Sequence, residues 1–582
     1  MRLDLFLPFV KKSKWGPVRR ALQKIGTTWH SSPWRRVVQV GFLAAFVALF
    51  CWVSWPYGGT NYADHRESKE KVAAETFLIL DPLVSLSTAI ASRSWVWSLT
   101  AAGIILAVCV FIPRGFCGYV CPLGTLIDLF DWAVGKRVNR WKLKDQDRGG
   151  WVHLKYYVLL ACLVAGLFGV LLTGFVAAIP VVTRAMLFIV TPLQHGLSRG
   201  WYQIPPWNWG HAVSLVLFAG VLGLGLFRRR FWCQYVCPTG AIFSLGNLFR
   251  ATERKVETTC INCNKCVEAC PFDAIKADFT TRTAECTLCQ SCGGVCPTHA
   301  IKFVSRWDLS NLKKENDPET HETRPSRRGF LTGTLAGAAG AFGIEHAWGA
   351  DLTAKDLPVR PPGSVPEKEF LQQCIRCGEC FQACPNNVLQ PEGFEQGLEG
   401  LWAPKVVANW AGCESGCNNC GQVCPTGAIR ALPMEEKKVA RMGLAIVDLQ
   451  TCLPYAGSEA CQMCVDECTA AGYNAIEFVR VHVKLDEQGL PIPDSGFAAP
   501  VVIADKCVGC GLCQTRCNVI NVKAKGLLKE TAIWVEAGPG REDRMSSGSY
   551  LALREEERKK REAAQPKAGA GDSYLPDFLK DK

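Results

Sequence analysis

The sequence predicts an α-helical membrane bundle with α+β bacterial ferredoxin-like [4Fe–4S] modules on both sides of it. Three observations carry that prediction. Twenty-four of the 31 cysteines fall into six groups of four. Four apolar stretches long enough to cross a bilayer lie between residues 37 and 227, with a weakly apolar Ala/Gly run before Ala350 as a possible fifth. An export-like segment at Ser326–Thr332 separates the first two cysteine groups from the last four.

The totals are consistent with this. A chain of 582 residues should hold several domains. Mean hydropathy is slightly positive although 20% of residues are charged, so the apolar residues must be concentrated. The net charge of +12 sits beside apolar segments, which favours membrane topology, and no nucleic-acid partner is expected.

Residues 1–36 form a basic N-terminus with nine Lys/Arg. A membrane domain follows over 37–250, with expected spans at 37–55, 95–112, 155–179 and 211–227. The loop at 113–153 carries seven Lys/Arg, the loop at 181–210 only two, and Arg228–Arg230 follow the fourth span. The positive-inside rule then puts the N-terminus, the 113–153 loop and residues 251–305 in the cytoplasm. The expected location is a bacterial inner membrane, crossed several times.

The membrane domain repeats internally. Asp81-Pro82-Leu83 leads to a span and then Cys117-x3-Cys121-Pro122; Thr191-Pro192-Leu193 leads to a span and then Cys233-x3-Cys237-Pro238. If helical, each pair of thiols sits at i and i+4 on one face. Two such pairs can meet as one four-thiolate metal site or act as dithiols. A structural role at a helix end is the blander alternative. Cys51, Cys109 and Cys162 lie within spans and read as packing residues.

Residues 251–305 read as a two-cluster ferredoxin. Cys260, Cys263, Cys266 and Cys270-Pro271 follow the C-x2-C-x2-C-x3-C-P run, whose fourth Cys serves the neighbouring cluster. Its partner group is Cys286, Cys289, Cys292 and Cys296. Cluster one is assigned Cys260, Cys263, Cys266 and Cys296; cluster two, Cys286, Cys289, Cys292 and Cys270. Zinc would favour paired C-x2–4-C knuckles, and disulfides do not call for this repeat.

Residues 306–350 hold a linker and Ser326-Arg327-Arg328-Gly329-Phe330-Leu331-Thr332, a twin-arginine export pattern ahead of an Ala/Gly run. Cleavage near 347–350 and retention as a fifth span are both open. Residues 351–535 carry four further groups: Cys374/Cys377/Cys380/Cys384, Cys413/Cys417/Cys420/Cys424, Cys452/Cys461/Cys464/Cys468 and Cys507/Cys510/Cys513/Cys517. The fourth ligands swap within each pair. Six [4Fe–4S] clusters result. Residues 536–582 are charged and expected to be disordered.

With these motifs in hand, residues 30–305 resemble the NapH/MauN family and residues 326–535 the NapG/MauM family, so the chain looks like a fusion of the two. The resemblance implies electron transfer from membrane quinol to a periplasmic reductase or cytochrome, nitrate reductase being the best-known acceptor. It also implies a quinol dehydrogenase component, twin-arginine export and a periplasmic 351–582 segment. Outward transfer from a cytoplasmic ferredoxin-type donor, or a redox or metal assembly role, are the competing readings. Quinol oxidation needs a proton acceptor near a membrane face, for which His195, Asp81 and His211 are the candidates. The approximately 30 Å hydrocarbon core must also be bridged, by the C-x3-C-P thiols, a mobile quinol or close approach of domains. Arg93 and Arg184 read as topology or headgroup residues.

Overall fold

The computed structural model describes residues 31–53, 75–112 less 94, 96 and 97, 114–135, 153–307 less 199, 312–314, 326–346, 357–486, 492 and 495–564. The basic N-terminus to residue 30, most of the 306–325 linker and residues 565–582 lie outside them. The chain forms two compact units, Met1–Ala431 and Leu432–Lys582.

The first unit is built on a helical domain. Its helices are α1 (Ser31–Trp52), α2 (Pro82–Ser92), α3 (Ser98–Phe111), α4 (Pro122–Phe130), α5 (Leu154–Leu167), α6 (Ala178–Ser198), α7 (Trp209–Gly223), α8 (Pro238–Gly246) and α9 (Arg327–His346). Among the described residues, three helical stretches are long and apolar enough to cross a membrane: Arg35–Trp52, Ala178–Ser198 and Trp209–Leu226. The duplication is visible in the pairs α2/α6 and α4/α8. Asp81 caps α2 with Pro82 at its first position, while Pro192 falls inside α6. Cys121 and Cys237 occupy matching N-cap positions before Pro122 and Pro238.

The span expected at 155–179 is not one helix. It breaks after Leu167, where Gly169 takes φ +86°, a conformation that favours glycine. A Cβ there would also meet Gln372 Nε2 at 2.7 Å. The chain then enters α6, which occupies 178–198, where a loop was expected at 181–210. Hydropathy reads composition and does not register such a break. The span expected at 95–112 appears as the 14-residue α3, about 21 Å long.

Helix α9 carries the twin-arginine pattern at its start and lies along α5. Gly329, Gly333 and Gly337 face Tyr157, Leu160, Ala161 and Val164. Small residues four apart let two backbones approach closely, the device that holds membrane helices together. The contacts advance together along both helices, so α5 and α9 run parallel. A Cβ on Gly337 would sit 2.7 Å from Ala161 O. Gly337→Leu should therefore destabilise this pairing by about 1–3 kcal/mol, seen as a lower Tm in detergent. Gly343→Leu, at a position with nothing within 4 Å, should leave Tm unchanged.

Two ferredoxin modules complete the first unit. In one, β1 (Thr252–Val256) pairs antiparallel with β2 (Ile301–Ser305), Thr252 opposite Ser305. In the other, β3 (Leu389–Pro391) pairs with β4 (Pro404–Val406). The modules meet opposite ends of α5. Lys155, in its first turn, pairs with Glu285. Beyond its other end, Leu171 O accepts from Arg376 Nη1 at 3.2 Å.

The second unit holds β5 (Leu444–Val447) paired with β8 (Ile533–Glu536), and β6 (Ile476–Val481) paired with β7 (Phe497–Val502). The expected disorder from 536 onward does not hold to residue 564. Tyr550–Ala564 is helical, and Tyr550 is fully buried with Leu432 and Ala440. Arg554 pairs with Asp543, and Arg558 with Glu555 and Glu562, so the charge run forms helix-face ion pairs.

Candidate electron-transfer centres

Each ferredoxin module in the first unit gathers its cysteines around two cavities. Cys260, Cys263, Cys266 and Cys296 line one with Phe279 and Ile301. Cys270, Cys286, Cys289 and Cys292 line another with Phe272 and Ile275. In the second module Cys374, Cys377, Cys380 and Cys424 surround one, and Cys384, Cys413, Cys417 and Cys420 the other. In every case three thiols of one loop meet the fourth thiol of the partner loop, as the spacing assigns.

The loops have a common backbone logic. Asn262 and Asn264, Leu288 and Gln290, Arg376 and Gly378, and Gly509 and Gly511 all take positive φ. Each couple brackets the second Cys of its run. Alternating left-handed residues turn successive N–H groups toward one point, a nest for an anionic cluster. Backbone N–H groups also reach the fourth thiols. Ala274 N donates to Cys270 Sγ at 3.3 Å, Ile429 N to Cys424 Sγ at 3.5 Å and Ala475 N to Cys468 Sγ at 3.2 Å. Such bonds tune cluster potential.

The irregular groups in the second unit come together differently. Asn521 Nδ2 donates to both Cys461 Sγ (3.6 Å) and Cys517 Sγ (3.7 Å), tying the third group to the fourth group's last thiol. Cys464 lies in electrostatic range of Cys452, Cys461 and Cys517, and Cys468 in range of Cys507. Cys513 has both Cys510 and Cys507 in range, so the fourth group keeps its first three thiols together. Within that group Cys510 departs from the others. Cys507, Cys513 and Cys517 are buried, whereas Cys510 is half-buried. No proline follows Cys517 because the backbone continues helically over Asn518–Ala524, which carries Asn521 inward. Asn521 carried no sequence signal. Neither did Arg254, a buried β1 residue that lines both cavities of its module and donates to Phe279 O and Thr281 Oγ1.

Glu379 stands between Cys377 and Cys380, buried and close to Glu75. Burial and the Glu75 charge push its carboxyl up to about 8. It is neutral at pH 7 and becomes an anion beside the cavity above pH 8. A negative charge there disfavours adding an electron. The potential of the Cys374-group cluster should thus fall as pH rises through about 8. EPR-monitored titrations on either side of that pH should show the fall, and Glu379→Gln should abolish it.

The C-x3-C-P pairs converge. Each of Cys117, Cys121, Cys233 and Cys237 lies in electrostatic range of others in the set. They are not at i and i+4 of a regular helix. Phe116–Val120 and Trp232–Val236 are π-helical turns closed by Cys121 N→Phe116 O and Cys237 N→Trp232 O, both 2.8 Å. The second Cys of each pair then caps a new helix. Two buried arginines cross between the repeats. Arg114 Nη2 donates to Cys233 O (3.3 Å), and Arg230 Nη1 to Cys117 O (3.0 Å). Arg114 and Lys155 share Glu285, while Arg230 and Arg35 share Asp128.

The three quinol-site candidates lie in different surroundings. Asp81 is fully buried, accepts from Leu83 N at 3.0 Å and from Thr239 Oγ1, and so serves as a cap beside the second C-x3-C-P motif. His195 is buried, its Nδ1 3.2 Å from Asn387 Nδ2. His211 forms a capping box with Asn208 and packs on Phe188. Arg184 is no headgroup residue. Fully buried, it donates to Gly174 O (2.6 Å) and Arg376 O (2.8 Å), and lies 4.0 Å over Trp402.

Fold and sites define a multi-cluster ferredoxin-type electron carrier joined to an apolar helical domain. A 4Fe-4S binding domain family matches residues 94–141 and 211–256, a 4Fe-4S dicluster domain matches 373–428, and a further 4Fe-4S binding domain matches 254–276. Ferredoxin-type protein NapG of Escherichia coli (strain K12) is 34% identical over 197 residues, 33% of this chain and 80% of the relative. Methylamine utilization ferredoxin-type protein MauM of Methylorubrum extorquens is 34% identical over 222 residues, 36% of this chain and 92% of the relative. Ferredoxin-type protein NapH of Haemophilus influenzae is 29% identical over 244 residues, 41% and 74% of the two chains. No solved structure matches. The chain belongs to the NapG/MauM ferredoxin-type family and is a fusion of NapG-like and NapH-like proteins. It is an iron–sulfur electron-transfer protein.

Proposed function

We propose that the chain relays electrons from membrane quinol, through six [4Fe–4S] clusters, to a periplasmic reductase of the nitrate-reductase type. In this reading the Cys260–Cys296 module faces the cytoplasm, and residues from 357 onward face the periplasm. The chain is then the electron-transfer component of a quinol dehydrogenase. The observation that carries it is the placement of two ferredoxin modules against the two ends of α5, a helix of 14 residues and about 21 Å. Exposed aromatics fit interfacial belts at both ends: Trp201, Tyr202, Trp207 and Trp209 near one module, Phe249 and Trp307 near the other. The parallel docking of α9 on α5 supports a twin-arginine segment that is inserted by the export machinery and kept as a membrane helix.

A second reading has its own support. Cys263 is exposed and Ile261 beside it is 61% exposed, so the first cluster reaches solvent. This suits exchange with a cytoplasmic ferredoxin-type donor. EPR of intact membranes separates the two. Quinol entry requires cluster signals after adding a reduced menaquinol analogue. Signals that appear only with reduced ferredoxin or dithionite would overturn the quinol reading and support the second.

A further inference from the structure

We propose that Cys117, Cys121, Cys233 and Cys237 jointly ligate a seventh [4Fe–4S] cluster within the helical domain, which passes electrons between the Cys286 module and the Cys377 module. The inference rests on reading the chain as a relay through the membrane, and it identifies the centre that divides the gap.

The thiols come from both halves of the repeat. The two family-matched segments, 94–141 and 211–256, each contain one C-x3-C-P pair, half of a cluster's ligand set. One cluster shared between the halves completes both. The crossed arginines bind the halves together at the carbonyls of the first Cys in each motif. Among the described residues no three His, Cys, Asp or Glu converge closely enough for a single metal ion. That holds equally for the ferredoxin quartets, whose thiols line cavities.

Charge and hydrogen bonding agree. A [4Fe–4S]2+ core with four thiolates carries two units of negative charge, costly in an apolar interior unless compensated. Arg114 and Lys155 against Glu285 leave one positive charge. Arg230 and Arg35 against Asp128 leave another. A further carboxyl, Asp81, held by Leu83 N and Thr239, takes one of these back when ionised, so the surrounding groups offset at least one of the cluster's two negative charges. Gly240 N donates to Cys237 Sγ at 3.4 Å, the same N–H to sulfur bond that the ferredoxin thiols receive. Cys237 stands at the start of the nine-residue α8, whose N-terminus favours a thiolate.

The position suits a relay. A Cβ on Gly118 would touch Thr287, which lies between Cys286 and Cys289. In the other direction one buried apolar core contains Cys121, Cys237, Ile375 and Cys377. Tunnelling falls steeply with distance, so a centre between the modules replaces one long step by two shorter ones. In each step one electron leaves a [4Fe–4S]1+ donor and converts a [4Fe–4S]2+ acceptor to 1+. No proton moves and no bond is made or broken.

The test is the iron and acid-labile sulfide content of the full chain, purified anaerobically in detergent, with EPR of the reduced protein. Seven clusters give about 28 irons per chain, four to a cluster. The double variant C117S/C233S should lose about four irons, about four sulfides and one EPR component. About 24 irons in the parent chain, unchanged in the variant, would overturn the proposal, as would a thiol-alkylation pattern showing a reducible disulfide, or stoichiometric copper or zinc. Should the serine variant lose every cluster, R114K/R230K decides. It keeps every ligating thiol, and a shift in the midpoint potential of one component supports the proposal; no shift contradicts it. Iron content does not depend on the electron donor, so failure of the quinol reading and failure of this one are separately visible.

Discussion

Glu285→Ala should separate the Cys260–Cys296 module from the helical domain. Glu285 is 2% exposed and is the carboxylate shared by Arg114 and Lys155, both with no exposure at all. Removing it leaves two buried cations facing each other. Breaking a buried pair in this way costs on the order of 3–5 kcal/mol. The denaturation midpoint of the purified protein should fall accordingly, and amide exchange should rise first at Thr283–Cys286, where Asn247 Nδ2 bonds the backbone carbonyls. Breaking the exposed Lys314–Asp278 pair instead should change stability by about 1 kcal/mol or less. Equal effects of the two substitutions would contradict the role assigned to Glu285.

Arg184→Met should have a comparable effect at the other end. The guanidinium joins α6 to the module that holds Cys374–Cys424, through Arg376 O and the face of Trp402. Its loss leaves Gly174 O and Arg376 O without this donor, a cost of about 1–3 kcal/mol each, and removes a cation–π contact worth up to about 2 kcal/mol. The ferredoxin cysteines are untouched, so iron content should stay at the parental level. What should be lost is fast electron passage between the helical domain and this module, read by freeze-quench EPR. Unchanged transfer would show that Arg184 is not the coupling residue.

The readability of the sequence follows the range of the interactions. Which thiols line a common cavity follows short spacing, so the exchange of Cys270 with Cys296, and of Cys384 with Cys424, is legible from the spacing alone. The two residues that bracket the second Cys, such as Asn262 and Asn264, carry a local signal as well. Spacing says nothing of exposure, so the half-buried state of Cys510 beside three buried cysteines is not legible in it. Arg184, Glu285, Arg254 and Asn521 are not legible either, because their roles depend on partners up to 192 residues away. The crossing of Arg114 and Arg230 is hinted at by their identical offset before the two motifs. The break at Gly169 is hidden because apolar residues continue on both sides of it. The 550–564 helix is hidden because its core contact rests on one aromatic, Tyr550, within a run of charge.

Relay through the membrane is tested most directly in proteoliposomes with ferricyanide trapped inside and dithionite, which does not cross the bilayer, added outside. The full chain should reduce the trapped ferricyanide, and Cys374→Ser should abolish that reduction while the Cys260–Cys296 clusters still turn over with external dithionite. Ferricyanide that stays oxidised with the parent chain, although all its clusters are reducible in detergent, would mean that the two ends of the helical domain are not electronically connected.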